Sequence, residues 1–349
     1  MQSHVNNQRK IRIAIASASN TMADLIKTQV KSNPLLQISW VAKTGANAIE
    51  KCHQYSPKLL LLDINITDQD SLVVTQKISI ETQCPILLIT DQYQKSTSKI
   101  FDVMGAGALD VVDLKSAIRP KSNQTSSLLQ KILGILKSTG CDINTQSPEQ
   151  NNKTTHNYQS KPTNKLIAIG ASTGGPIALA DVISKIPTNI SAAIVVIQHL
   201  DAQFSGGFID WLNEHVEYPV RAAKTGDFPE TNTVLVPNGS DHLILKPDEK
   251  LYYTPDPINY VYRPSVNEFF ESVAQHWKGT AVGILLTGMG KDGATGLLSI
   301  KKKGFYTIAQ DEKSCAVYGM PKAAVKIEAA DAVLDVKSIG SKITQLLSK

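Results

Sequence analysis

The stretch LIAIGASTGGP, Leu166–Pro176, decides how this chain folds. Its first half is a short apolar run of the kind that is buried on both faces of a parallel sheet. Its second half places Gly170, Gly174 and Gly175 around Ser172 and Thr173. Pro176 then opens IALADVISKI, where Ile177, Leu179, Val182, Ile183 and Ile186 recur at helical spacing. Proline suits the first helical position, where its missing N–H would have no partner. Strand, glycine turn and helix predict a G-x-S-x-G elbow that leaves Ser172 exposed at the carboxyl edge of a sheet, beside the free N–H groups of a helix start. Two other readings compete: a phosphate- or dinucleotide-binding turn, and Ser172 as a mere helix cap. The spacing is not G-x-G-x-x-G and no G-x-x-x-x-G-K-[ST] follows, which favours the nucleophile.

Two further buried runs flank this one in sequence. Ala192–Ile197 (AAIVVI) finishes in Gln198-His199, and Ala281–Thr287 (AVGILLT) leads into Gly288-Met289-Gly290-Lys291-Asp292-Gly293. Each residue alone has a simpler reading, His199 as a core histidine bonded to a backbone carbonyl and Asp292 as a helix N-cap. Together, Ser172, His199 and Asp292 each fall just beyond a buried strand, at the edge where doubly wound sheets build their sites. Their chemistry is complementary. A serine hydroxyl needs a base within hydrogen-bond reach, His199 can take and return the proton, and Asp292 can fix the imidazole tautomer. Backbone N–H groups near Thr173 and Met289 would form an oxyanion hole. The order Ser, His, Asp differs from that of α/β-hydrolases, so that fold is not implied.

The motifs GASTGGP (Gly170–Pro176), IQHL (Ile197–Leu200), VPNGSDHL (Val236–Leu243), RPSVNEFF (Arg263–Phe270), ILLTGMGKDGATGL (Ile284–Leu297) and TIAQDEKSCAVYGMPKAA (Thr307–Ala324) resemble the catalytic domain of the chemotaxis protein-glutamate methylesterases. The resemblance spans residues 165–347. It implies that Ser172, His199 and Asp292 are the catalytic triad, with Thr173 and Met289 at the oxyanion hole. It further implies hydrolysis of glutamate methyl esters on chemoreceptor signalling helices, deamidation of receptor glutamines in many members, and no cofactor for the hydrolysis. Two positions depart from the family pattern: Tyr262 stands where a histidine is common, and Asn267 replaces an aspartate, changes that would tune substrate handling but leave the triad untouched. His242 is read either as lining the rim of the site or as making a structural hydrogen bond.

Residues 11–115 alternate strand and helix. Apolar runs at Ile11–Ala16, Ile38–Ala42, Leu59–Leu62, Ile86–Ile89 and Leu109–Val112 are separated by helical patterns, which predicts a five-stranded, doubly wound parallel sheet. Asp63 closing the third strand, Thr90 closing the fourth and the G-A-x-D of Gly107–Asp110 resemble a response-regulator receiver domain, with Asp63 at the phosphoacceptor position. The resemblance fails at the chemistry. A receiver holds Mg²⁺ with an acidic pair after its first strand, and here Ser17 and Ala18 replace that pair; hard cations need carboxylate oxygens, so Mg²⁺ is not expected. The lysine after the fifth strand is also missing, Asp113 or Leu114 standing at its place, with Lys115 one residue on. Asp63 is therefore read as a leftover, and the domain as a docking or inhibitory module.

The whole is expected to be α/β, with a receiver-like domain over 11–138, a flexible polar linker over 139–164 and a Rossmann-like esterase domain over 165–347. The 349 residues carry a formal charge of +5. Residues 116–164 hold six basic against two acidic side chains, whereas 165–349 hold 18 against 19, so the basic excess lies in the connecting segment and not on a nucleic-acid surface. No apolar stretch approaches the roughly 18 residues of a membrane span and no signal peptide is evident. Cys52, Cys84, Cys141 and Cys315 form no C-x-x-C pair and read as reduced thiols of a cytoplasmic protein. His4, His53 and His156 lack metal-ligand spacing, so no structural metal is expected, and His215 and His276 read as solvated or packed. The expected partners are methylated chemoreceptor helices and, through residues 11–138, a chemotaxis histidine kinase or scaffold. Two alternatives remain at this level, a non-catalytic two-component adaptor with a vestigial esterase and a nucleotide-binding module.

Overall fold

The protein, seen in a computed structural model, is described here over residues 10–91, 97–118, 127–138, 163–258, 260 and 262–348. It divides into two compact units, residues 1–145 and 146–349. The stretch 139–162, which holds nearly all of the expected linker together with Cys141 and His156, lies outside the described residues, as does His4.

The first unit runs β1 (Ile11–Ala16), α1 (Asn20–Lys31), β2 (Leu36–Ala42), α2 (Gly45–Tyr55), β3 (Leu60–Asp63), α3 (Ser71–Thr82), β4 (Ile86–Thr90), α4 (Thr97–Gly105), β5 (Asp110–Asp113), the single turn α5 (Leu114–Ala117) and α6 (Ser127–Ser138). Its sheet has the order β2-β1-β3-β4-β5, every pair parallel, as the alternation of runs and helices predicts. Local chemistry starts the helices: the side chains of Ser19, Thr44 and Asp70 accept from the N–H groups of Met22, Asn47 and Leu72. The strand order reverses between β1 and β3, which makes the crevice beyond their carboxyl ends the place where such sheets carry function.

The second unit runs β6 (Lys165–Ala171), α7 (Gly175–Ile183), β7 (Ala193–Gln198), α8 (Ser205–His215), β8 (Val220–Ala222), β9 (Val234–Val236), β10 (His242–Leu245), β11 (Leu251–Thr254), α9 (Val266–His276), β12 (Thr280–Leu285), α10 (Ala294–Lys302), β13 (Tyr306–Gln310), α11 (Met320–Lys326), β14 (Ala332–Leu334) and α12 (Val336–Leu347). Seven parallel strands form one sheet in the order β14-β13-β12-β6-β7-β9-β8. β6 is the switch point: β7 lies on one side of it and β12 on the other. β10 and β11 form a separate antiparallel hairpin. α9 packs on it, and the Leu245 N–H donates to the Ser272 hydroxyl at 2.9 Å. Under the sheet, Phe269, Phe270 and Val273 of α9 meet Leu285, Leu297 and Ile300 in a fully buried cluster. Each such side chain contributes about 1.5–3 kcal/mol on burial, so α9 is firmly seated. Among the described residues, no helix is long and apolar enough to cross a membrane.

Candidate active site

Register brings the three sequence candidates to one edge. Ala171 pairs with Gln198 across β6 and β7, and Gly170 pairs with Leu285 across β6 and β12. Just beyond the strand ends, the His199 N–H donates to the Ala171 carbonyl and the Ser172 N–H to the Thr287 carbonyl, both at 3.0 Å. Ser172 is thus stitched between its two neighbouring strand ends. It is more enclosed than an exposed elbow would be, at 6% accessibility, because the Gly288 backbone passes against it. A β-carbon at Gly288 would lie 2.6 Å from that of Ser172, so only glycine allows this approach.

The helix-cap readings of Ser172 and Asp292 do not hold. The N-caps of α7 and α10 are Gly174 and Gly293, both at positive φ and neither with a side-chain cap bond. Asp292 instead receives the start of a different helix, α9. Its Oδ2 accepts from the Val266 N–H at 2.7 Å, and its Oδ1 from the Ser265 hydroxyl at 2.8 Å and the Asn267 N–H at 3.1 Å. The fourth donor is His199, whose Nε2–H reaches Oδ2 at 2.8 Å. Burial alone pushes this carboxyl up, but the bond and charge of His199 with the Val266 and Asn267 N–H groups outweigh it and hold Asp292 below the ordinary carboxylate value. The field at the start of α9 acts in the same direction.

His199 is not a core histidine satisfied by a carbonyl. Its ring is nearly enclosed, bonded to Asp292 through Nε2, and stacked on Tyr262 with centroids 4.4 Å apart and planes 3° apart. Its Nδ1 is buried without a hydrogen-bond partner, and so are Thr173 Oγ1 and Gln198 Oε1. Among the described residues no hydrogen bond joins the Ser172 hydroxyl to His199; Nδ1 is the ring nitrogen left open for such a bond. Three orphaned polar atoms on consecutive strand ends are unusual for a core and ordinary for a site that awaits a substrate. Likewise, among the described residues, the N–H groups of Thr173 and Met289 donate to no group.

Several site residues escaped the sequence reading. Gln198 Nε2 donates to the Ser172 carbonyl at 2.8 Å. The Thr287 hydroxyl donates to the Thr173 carbonyl at 3.0 Å and accepts from the Val317 N–H at 2.9 Å, fixing the turn that follows Ser172. Ser265 lay inside a recognised motif, yet nothing in its sequence context says that its hydroxyl points to a residue 27 positions away. Tyr262 touches the histidine itself, so that departure from the family pattern does reach the candidate triad. Asn267 faces elsewhere: its Oδ1 accepts from the Gly296 N–H at 2.9 Å, tying α9 to α10. His242 is wholly buried and makes the structural hydrogen bonds. His215 is exposed, with its Nδ1 bonded to the Trp211 carbonyl and its ring stacked on that indole.

In the first unit, the Ser17 hydroxyl donates to Asp63 Oδ2 at 2.7 Å and the Asn65 N–H to Oδ1 at 2.9 Å. Burial pushes the Asp63 carboxyl up, and nearby Asp91 adds to that, against the two bonds. Lys115 sits 3.9 Å from Asp91, and Asp113 caps α5. Ser17 thus presents a hydroxyl, not a carboxylate, to Asp63, and Asp91 is the other carboxylate near it.

Residues 167–343 match the family described as CheB methylesterase. A protein-glutamate methylesterase/protein-glutamine glutaminase of Mesorhizobium japonicum is 43% identical over 339 residues, covering 96% of this chain and 98% of the relative. The chain belongs to the CheB methylesterase family. A second relative of that description, from Pseudomonas syringae pv. syringae, is 38% identical and covers 97% of this chain and 100% of its own. The crystal structure of the Thermotoga maritima CheB methylesterase catalytic domain is 34% identical, covering 52% of this chain and 97% of that one at a TM-score of 0.49. In this CheB-family chain the family match spans all three residues at the sheet edge, Ser172, His199 and Asp292.

Proposed function

We propose that this protein is a serine carboxylesterase that hydrolyses γ-methyl esters of glutamate on chemoreceptor signalling helices. The observation that carries the reading is the buried His199–Asp292 bond, 2.8 Å long, at the strand edge that also holds Ser172. In the first step the Ser172 Oγ attacks the ester carbonyl carbon and its proton passes to His199 Nδ1, while Asp292 steadies the imidazolium through Nε2. The N–H groups of Thr173 and Met289 receive the oxyanion; one such donor is worth about 3–4 kcal/mol of barrier. The C–OCH₃ bond then breaks, and the methoxy oxygen takes the proton from His199 and leaves as methanol. A water attacks the acyl-enzyme, gives its proton to His199, and frees glutamate as Ser172 recovers its own. A side-chain amide enters the same sequence with ammonia leaving, which is the deamidation of glutamine. No step calls for a cofactor.

The first unit acts in this reading as a docking or inhibitory module whose state does not depend on phosphorylation of Asp63, and a chemotaxis kinase or scaffold is the partner it would meet. The protein would work in the cytoplasm, at the receptor's inner end. The test is methanol release from methylated receptor fragments by the full chain and by Ser172→Ala, with and without acetyl phosphate and Mg²⁺. Release that drops about 10⁴-fold or more in Ser172→Ala supports the esterase, as expected for loss of a nucleophile. Release that persists in Ser172→Ala sinks it, and a rate raised by the phosphodonor sinks the phosphorylation-independent module.

A further inference from the structure

His242 begins β10, 50 residues before Asp292 in sequence, and is fully buried. Its Nδ1 accepts the Ser265 N–H at 3.0 Å, and its Nε2 lies 3.2 Å from the Pro257 carbonyl. An amide N–H can only donate and a carbonyl can only accept, so both contacts are met by one form alone, the neutral imidazole with its proton on Nε2. A second proton would have to go to Nδ1, where it would face the Ser265 N–H. Ser265 is the residue that caps α9 and whose hydroxyl, with the next two N–H groups, grips Asp292.

We propose that His242 is a positioning residue for the hydrolysis: as a neutral acceptor it anchors the first turn of α9 to the β10–β11 hairpin, and through that turn sets Asp292 and the His199 ring. This rests on the reading of Ser172, His199 and Asp292 as the catalytic group. Leu245 N–H on Ser272 is the second anchor, two helical turns along α9, so the hairpin fixes both the place and the rotation of the helix. The groups that face His242 are Arg263, Asp241 and Asp292, with the Tyr260 ring edge-on at 5.7 Å. Burial first, then Arg263, holds the imidazole below its ordinary value of 6.5, against the pull of the Pro257 bond and the two aspartates. The neutral form is thus the one the site keeps, and acid is what would break the anchor.

The experiment is kcat and KM against pH for the full chain, with a peptide carrying a glutamate γ-methyl ester, in His242→Leu, His242→Asn and Ser172→Ala. Leucine removes the acceptor; asparagine restores one near Nδ1 that does not titrate. His242→Leu is expected to lose about 10- to 100-fold in kcat with KM within threefold, the scale of a misplacement of about 1 Å at the reacting groups. His242→Asn is expected to recover most of that loss and, carrying no titrating group there, to lose no more rate between pH 8 and pH 5 than the unaltered chain. A His242→Leu kcat within twofold of the unaltered chain overturns the proposal. So does a folded His242→Asn whose kcat is down more than tenfold, a comparison that stands even where His242→Leu does not fold. Activity surviving in Ser172→Ala would instead remove the catalytic reading beneath it.

Discussion

Asp63 and Asp292 occupy corresponding places in the two units. Each is buried at the carboxyl edge of a parallel sheet beside its switch point, Asp63 as the last residue of β3 and Asp292 in the turn that follows β12. Their carboxyls are shifted in opposite directions. Asp292 collects four donors, two of them N–H groups at the start of α9 and one the His199 ring, and its carboxyl is held low. Asp63 has the Ser17 hydroxyl and one N–H, faces another carboxylate in Asp91, and is pushed up. Burial is common to both, so donors and neighbouring charge decide which way each carboxyl is shifted. A switch point thus provides a place for chemistry, and the donor set decides whether chemistry can happen there.

The largest test of that contrast is Asp292→Asn. It keeps the shape but hands His199 and the α9 amides a partner that cannot steady an imidazolium, and kcat is expected to fall about 10³- to 10⁴-fold in methanol release. Asp292 also ties stability to pH. Its folded value lies below the ordinary 3.8, so its contribution is complete above that pH and is lost as pH falls through the folded value. The gap in Tm between the unaltered chain and Asp292→Asn should therefore close in acid, and a gap that widens there would break the comparison. Next in size is Ser265→Ala, which removes one donor from the four. A bond to a charged group is worth about 1.5–3 kcal/mol, so kcat is expected to drop at least about tenfold, with the fall steepest toward low pH.

Tyr262→Ala removes the ring stacked on His199 and leaves the donors of Asp292 in place. Aromatic pairs contribute about 0.5–1.5 kcal/mol, so a loss of about 2- to 10-fold in kcat is expected; a loss as large as that of Asp292→Asn would mean that stacking, not the carboxylate, orients the imidazole. The smallest effect belongs to Asp63→Asn. An amide can still accept from the Asn65 N–H and donate to the Ser17 hydroxyl, which turns to receive it. The raised folded value means that Asp63 favours folding below its unfolded value and that this is lost as pH rises through the folded one. Asp63→Asn should thus raise the Tm at pH 8, with the gain fading as pH falls toward 3.8, and leave methanol release unchanged. A fall in Tm at pH 8 would show that the ionised carboxylate is wanted there.

Much of this was legible in the residues. The runs ending at Ala16, Asp63, Ala171, Gln198 and Leu285 are strands because a strand covered on both faces must be apolar throughout, and their alternation with helices implies parallel sheets. Glycine turns after such runs then marked Ser172 and Asp292, and the end of AAIVVI marked His199. The three-residue strands β8 and β9 and the β10–β11 hairpin were not legible, since these short runs fall outside the regular alternation of apolar run and helical pattern that marked equally short strands such as β3. Nor was the cradle of Asp292, whose donors come from a helix some 25 residues earlier, or the anchor that His242 places on that helix from 23 residues before it. Sequence by itself determined which segments are buried and where each turn falls, because burial and backbone freedom are written locally in side-chain polarity and in glycine and proline. Only the tertiary structure decided which donors meet which carboxylate, because a hydrogen bond depends on a few tenths of an ångström between segments that packing alone brings together.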